Sequence, residues 1–342
     1  MKRFDLLNTP LSGRNLIEAS AGTGKTFTIA GLFVRLLLES PDPESRNPAT
    51  VNRILVVTFT EAATRELRDR IRRRIRDALD AFSAGYSDDR FLQGLLDRHP
   101  DRKRAGELLF AALSSFDEAP VFTIHGFCQR MLQDNPFESG SLFDTRLVTD
   151  QEAIYREIAE DFWRRTFFSA PKSLARAALA AGMGPELLTE LARGRRPGRF
   201  LSVIPDVAGP DPADPREPAE EECDALLLGI KRDFFRYLTD ELPRRKRRDN
   251  VRFFDDLLLD LHGALEGERG ASLAAAVRSR FAAALIDEFQ DTDPVQYAIF
   301  DRIFPTGESP LFLIGDPKQA IYSFRGADVF AYLAAAGEAG SR

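Results

Sequence analysis

Eight residues near the amino terminus, Ala19-Ser20-Ala21-Gly22-Thr23-Gly24-Lys25-Thr26, have the make-up of a loop that holds phosphate. Gly22 and Gly24 permit a tight turn in which consecutive backbone N–H groups face one point. A helix starting at Lys25 would add the positive end of its dipole. In such a loop the lysine reaches the β- and γ-phosphates and the next hydroxyl ligates Mg²⁺, so the chemistry indicated is ATP binding with Thr26 on the metal. The usual pattern has a glycine where Ala19 stands. The bland alternative is a glycine-rich strand-to-helix turn with an exposed lysine, and the strand–loop–helix context distinguishes the two.

Phosphate chemistry also needs an acidic site. Asp287 and Glu288 follow the apolar run Ala283-Ala284-Leu285-Ile286. At a strand end, Asp287 would hold Mg²⁺ and Glu288 would polarise the attacking water. A solvated acidic strand end is common, but the pair gains meaning beside a phosphate loop. Both segments are expected at carboxyl ends of strands, where open α/β sheets bind ligands.

The elements that must carry these residues follow from hydrophobic pattern. Leu16–Ser20 reads as a short buried strand and Lys25–Glu39 as a helix with Ile29, Leu32, Phe33, Leu36 and Leu37 on one face. Ile54–Thr58, Val121–Ile124, Ala284–Asp287 and Leu311–Ile314 read as further strands separated by helical stretches. The economical fold is α/β with a doubly wound parallel sheet. From Asp150 to Arg193 the period is helical, and helical pattern resumes at Cys223–Leu242. Between them, Arg195–Glu222 holds six prolines and ends in three glutamates, a composition expected to form a mobile linker rather than a helix. The expected division is a discontinuous core of residues 1–140 and 271–342, with a mostly helical insertion at 141–270 that contains the Pro-rich linker at 195–222.

Composition sets further bounds. A net charge of −6 gives no global positive field, so any nucleic-acid site must be local. Cys128 and Cys223 are too few for a disulfide scaffold and read as unpaired structural thiols. Three histidines disfavour a multi-histidine metal centre. No apolar stretch approaches the ~20 residues of a membrane span, and the first residues lack a signal peptide's pattern, so a cytoplasmic location is expected. Two basic runs remain. Arg65–Arg76 has interleaved acids and reads as an amphipathic helix with a solvated face. Arg244–Arg248 lacks them and is expected to meet phosphate backbone, a solvated helix end being the alternative.

Four more segments complete a recognisable order: Val57-Thr58-Phe59-Thr60-Glu61-Ala62-Ala63-Thr64, Phe122-Thr123-Ile124-His125-Gly126-Phe127-Cys128, Asp287–Gln296, and Ile314–Asp328 with Gln319, Tyr322, Phe324 and Arg325. With the phosphate loop, these resemble motifs I, Ia, Ib, II and III of the UvrD/Rep-type superfamily 1 DNA helicases, most closely the RecB-type branch from exodeoxyribonuclease V. The match is strong on both flanks and weak in the middle, where Phe253-Phe254-Asp255-Asp256 is similar to the segment at which the family's inserted 1B subdomain returns.

That resemblance implies a RecA-like core and an ATP-dependent DNA helicase or translocase, bacterial and cytoplasmic, moving 3′→5′ on single-stranded DNA in recombinational double-strand break repair, with RecC-like and RecD-like partners. It implies that Gln319 senses the γ-phosphate beside Lys25 and Glu288. It also implies that Phe59, Thr60, His125, Tyr322, Phe324 and Arg325 line the single-strand path. Taken singly, each aromatic is as well explained by packing, Phe59 and Phe127 above all. Family members continue into a second RecA-like domain, and the RecB-type branch into a nuclease domain. Neither follows Asp328, so the chain reads as an N-terminal fragment expected to bind nucleotide, hydrolyse it very slowly and not unwind DNA. Alternatives are a stand-alone UvrD/Rep or AddA-type helicase, a non-catalytic DNA-binding subunit, and a P-loop ATPase acting on protein.

Overall fold

The computed structural model describes residues 4–19, 24–41, 47–139, 145–168, 170–194, 219–307, 309–319 and 329–338. The chain forms two compact units, Met1–Ser141 with Asp260–Arg342, and Leu142–Leu259. In chain order the first unit contributes β1 (Arg14–Glu18), α1 (Lys25–Leu38), β2 (Ile54–Thr58), α2 (Glu61–Ala84), α3 (Arg90–Arg98), α4 (Arg102–Ser114), β3 (Val121–Thr123), α5 (Ile124–Asp134) and α6 (Pro136–Ser139). The second contributes β4 (Arg146–Leu147), α7 (Glu152–Phe167), α8 (Lys172–Ala180), α9 (Pro185–Arg193), α10 (Glu220–Arg248) and β5 (Val251–Arg252). Then α11 (Phe254–Glu266) leads back to α12 (Gly270–Arg280), β6 (Ala283–Ile286), α13 (Pro294–Ile303), β7 (Leu311–Gly315) and α14 (Val329–Glu338).

The first unit is built on a parallel sheet in the order β1-β7-β6-β2-β3. Every residue of β2, β6 and β7 is buried, as expected of apolar strands covered by helices on both faces. The register aligns Glu18 with Gly315, Val57 with Ile286 and Thr58 with Thr123, so the carboxyl ends of all five strands share one edge. Ile29, Leu32, Phe33 and Leu36 of α1 are fully buried against Phe116, Phe312 and the strands.

β1 starts two residues before the expected strand, because Arg14 and Asn15 are buried polar residues that break the apolar pattern. Arg14 is compensated by Asp301 at 2.6 Å, the Tyr297 hydroxyl at 3.0 Å and the Phe304 carbonyl at 3.2 Å. The arginine-rich segment is the amphipathic α2, with Leu67, Ile71, Ile75 and Ala78 buried. Several of its arginines act within the unit. Arg74 pairs with Asp89 at 2.7 Å and lies over the Phe27 and Phe91 rings, and Arg68 donates to the Ala119 carbonyl at 3.0 Å.

In the second unit, α7, α8 and α9 surround α10 over a core that includes Ile158, Phe162, Leu174, Leu188, Ile230 and Phe234. Two sequence expectations change here. α10 begins at Glu220 and continues through Pro243 to Arg248, and a two-stranded parallel pair, β4 with β5, lies beyond the sequence signal. The basic run Arg244–Arg248 is largely neutralised locally: Arg244 pairs with Glu241, Arg245 with Glu157 and Asp161, Lys246 with Asp256, and Arg248 with Asp249. The acids that a linear reading found missing come from α7 and α11. Of the Pro-rich stretch, 195–218 lies outside the described residues.

Candidate functional site

Four of the predicted site residues lie at the phosphate-loop end of β1. Ala19 leaves that strand with its N–H on the Gly315 carbonyl of β7 at 3.0 Å. Gly24 caps α1 with φ 99° and ψ 31°, a left-handed conformation that accounts for glycine at this position. Lys25 and Thr26 form the first turn of α1, both partly exposed. Ser20, Ala21, Gly22 and Thr23 lie outside the described residues.

The acidic pair ends β6. Asp287 is 9% exposed, and burial together with the neighbouring Glu288 charge pushes its carboxyl up to about 6. Its backbone N–H donates to the Val57 carbonyl of β2, and the Glu288 N–H donates to its Oδ1 at 2.9 Å. Glu288 itself sits at φ 52° and ψ 39°, a left-handed conformation rare for a non-glycine residue.

β7 lies between β1 and β6, yet the two ends meet. Lys25 Nζ contacts Glu288 Oε2 directly. The cation of the loop and the carboxylate of the acidic strand end therefore share one site, although 263 positions separate them in the chain. Gln290, 2% exposed, completes the group: its Nε2 donates to Glu288 Oε2 at 2.6 Å and its Oε1 accepts from the Asp316 N–H at 2.8 Å. Gln319 follows on a short turn after β7, where its N–H donates to the Asp316 carbonyl at 2.9 Å.

Gln290 is the residue that sequence reasoning missed. Its position two residues after Glu288 was visible, but its burial and its reach to a second strand end were not. Gly315 leaves the room it needs, since a Cβ there would stand 2.7 Å from Gln290 Oε1 and 3.0 Å from its backbone nitrogen. Gly315→Ala is expected to lower the thermal midpoint by several degrees and to disturb the site, because backbone on that side cannot yield as a flexible side chain would. A differential scanning measurement on the purified variant checks this, and an unchanged midpoint would contradict it.

The predicted DNA-path residues that can be described lie along the same sheet edge. Phe59 and Thr60 follow β2, and His125 stands on the first turn of α5 after β3. Phe59 and His125 are partly exposed and Thr60 is exposed, so Phe59 differs from the packed aromatic that the bland reading expected. Phe127 is the fully buried one. The Thr60 hydroxyl accepts from the Ala63 N–H at 3.1 Å and caps α2. Tyr322, Phe324 and Arg325 lie outside the described residues. Cys128 and Cys223 are free and buried, and burial pushes the Cys128 thiol up, away from reactivity.

A nucleotide-linked Mg²⁺ suits this donor set. Asp287 and Glu288 offer hard carboxylate oxygens and Thr26 a hydroxyl. Among the described residues no three His, Cys, Asp or Glu side chains cluster as a metal cage. A cation held by one or two protein oxygens, with phosphate and water completing its shell, is the manner of Mg²⁺ rather than of a structural metal.

Residues 5–339 match the family model of the UvrD/REP helicase N-terminal domain. The chain belongs to the UvrD/Rep helicase family. Similar proteins include the RecBCD enzyme subunit RecB of Escherichia coli K12, 38% identical over 98% of this chain and 36% of that protein. The RecB subunit of Mycolicibacterium smegmatis is 37% identical over the whole of this chain and 29% of its own length. That of Mycobacterium tuberculosis is 36% identical, again over the whole chain and 29% of its own length. The chain thus spans about a third of the length of these relatives. Among the described residues, no helix of this UvrD/Rep-family chain is long and apolar enough to cross a membrane.

Proposed function

We propose that this chain is the ATP-binding core of a RecB-type DNA helicase subunit, and that its nucleotide chemistry is hydrolysis at the Lys25–Glu288 site. The observation that carries the reading is the contact between the phosphate-loop lysine and the strand-end carboxylate in a chain of the UvrD/Rep family. ATP would lie with its phosphates on the loop Ala19–Thr26, Lys25 beside the β- and γ-phosphates. Thr26 and Asp287 would hold Mg²⁺, which when bound neutralises phosphate charge. Glu288 accepts a proton from the attacking water, whose oxygen bonds to the γ-phosphorus. The bond from that phosphorus to the bridging oxygen breaks, and the products are ADP and inorganic phosphate. Gln319, on the turn after β7, is assigned to sensing the γ-phosphate.

The inserted unit is assigned as the 1B-like subdomain. Phe59, Thr60 and His125, with Tyr322, Phe324 and Arg325, are assigned to single-stranded DNA. Partly exposed aromatics accept stacked bases without reading their sequence. By likeness to the RecB relatives, the motor would run 3′→5′ with RecC-like and RecD-like subunits in the bacterial cytoplasm, acting at DNA ends in double-strand break repair.

Binding of a fluorescent oligo-dT by the purified protein tests the DNA assignment. Single strands should bind more tightly than blunt duplex of equal length, and Phe59→Ala should weaken binding roughly tenfold, as loss of one stacked base would. Equal affinity for both forms, untouched by Phe59→Ala, would refute it.

A further inference from the structure

Glu288 is the group whose aim matters most to hydrolysis, and regular secondary structure does not aim it. Its backbone is left-handed, two residues after β6 ends at Ile286. Side chains must therefore hold the carboxylate. Among the described residues, Lys25 and Gln290 both donate to the same oxygen, Oε2, and none donates to Oε1.

The Gln290 amide can satisfy both its neighbours in one orientation. Its Nε2 must face the Glu288 carboxylate, and its Oε1 must face the Asp316 N–H. Flipped, it would set oxygen against carboxylate and N–H against N–H. Burial at 2% exposure and the bare Cα of Gly315 leave the amide no other place. The Asp316 that it binds also carries the turn to Gln319, through its carbonyl to the Gln319 N–H and its Oδ1 to the Lys318 N–H.

We propose that Gln290 is a positioning residue for hydrolysis: it reserves Oε2 of Glu288, leaves Oε1 as the proton acceptor, and ties that carboxylate to the turn that bears Gln319. The proposal rests on the reading of the site as an ATPase. It makes the β6 and β7 strand ends one mechanical piece, so that a displacement of the Gln319 turn reaches the base through a single buried amide. Substrate binding does not pass through Gln290, because the loop and Lys25 supply it.

The test compares Gln290→Glu and Gln290→Met with the parent protein and Lys25→Ala. Gln290→Glu keeps an acceptor for the Asp316 N–H but removes the donor to Glu288. Gln290→Met keeps the bulk and loses both bonds. ATP turnover is measured with and without single-stranded DNA, alongside thermal midpoints. The expected result is a kcat lowered about ten- to a hundredfold in both variants, the usual range for losing one hydrogen bond to a charged group, with the ATP KM within about threefold. The ratio of DNA-stimulated to basal turnover should fall towards one. Lys25-dependent turnover that both variants leave intact would overturn the proposal alone. A rise in KM that tracks the fall in kcat and in thermal midpoint would overturn it too, marking Gln290 as a structural prop. If one variant fails to fold, the other decides. A parent without Lys25-dependent turnover would overturn the ATPase reading and this proposal with it.

Discussion

Lys25→Ala is expected to reduce ATP turnover by about a thousandfold or more while leaving the fold intact. Lys25 is the cation that the loop brings to the acidic strand end, and its ammonium touches the Glu288 carboxylate. Removing one preorganised electrostatic group from a transition state that spreads negative charge costs about 10²–10³ in rate. Here the same group also contributes to phosphate binding, so KM should rise as kcat falls. The stability effect should be small, since the ammonium is one of two donors to Glu288 Oε2 and Gln290 remains. ATP titration monitored by calorimetry, run beside turnover assays, separates the two losses. A variant that turns over at more than about a tenth of the parent rate would contradict the assignment, because a bystander lysine costs so little.

Asp287→Asn is expected to act in opposite directions on activity and stability. Activity should fall to near the detection limit, because a neutral amide is a poor Mg²⁺ ligand. Stability of the nucleotide-free protein should rise. The Asp287 carboxyl has a folded-state value of about 6 against an ordinary 3.8, through burial first and the Glu288 charge second. A raised carboxyl favours the protonated form on folding, so it costs nothing at pH well below 3.8, where both states are neutral. The cost grows as pH rises and is complete above about 6, where both states are ionised. The two-unit gap corresponds to an order of 2–3 kcal/mol. Asparagine removes that cost while keeping an oxygen for the Glu288 N–H. The variant's thermal midpoint should therefore exceed the parent's by a few degrees at about pH 7.5, with the gain fading as pH falls towards 4. Equal midpoints at every pH, or retained Mg²⁺-dependent turnover, would show that Asp287 is an ordinary acidic strand end.

The two flanks were legible because their signals are local. Buried parallel strands are short apolar runs, and Ile54–Thr58 was read at its observed bounds. A phosphate loop is likewise one contiguous string, with a glycine at the left-handed Gly24. What escaped depends on partners distant in sequence. Arg14 and Asn15 extend β1 because Asp301 and Tyr297, nearly 300 positions away, make a buried arginine tolerable. The basic end of α10 looked like a phosphate-binding run because Glu157, Asp161 and Asp256 lie on other helices. The helical pattern was read only to Leu242, whereas α10 continues through Pro243 to Arg248. Gln290 escaped for the same reason. Nothing in its neighbourhood says that an amide will be buried between two strand ends.

The central claim is that Lys25 and Glu288 form a nucleotide site that answers to DNA. It is tested most directly by ATP turnover of the purified protein with and without single-stranded DNA, beside Lys25→Ala. Slow turnover that single strands stimulate and that Lys25→Ala abolishes is the predicted result. Turnover that survives Lys25→Ala, or that is the same with and without DNA, would contradict the account.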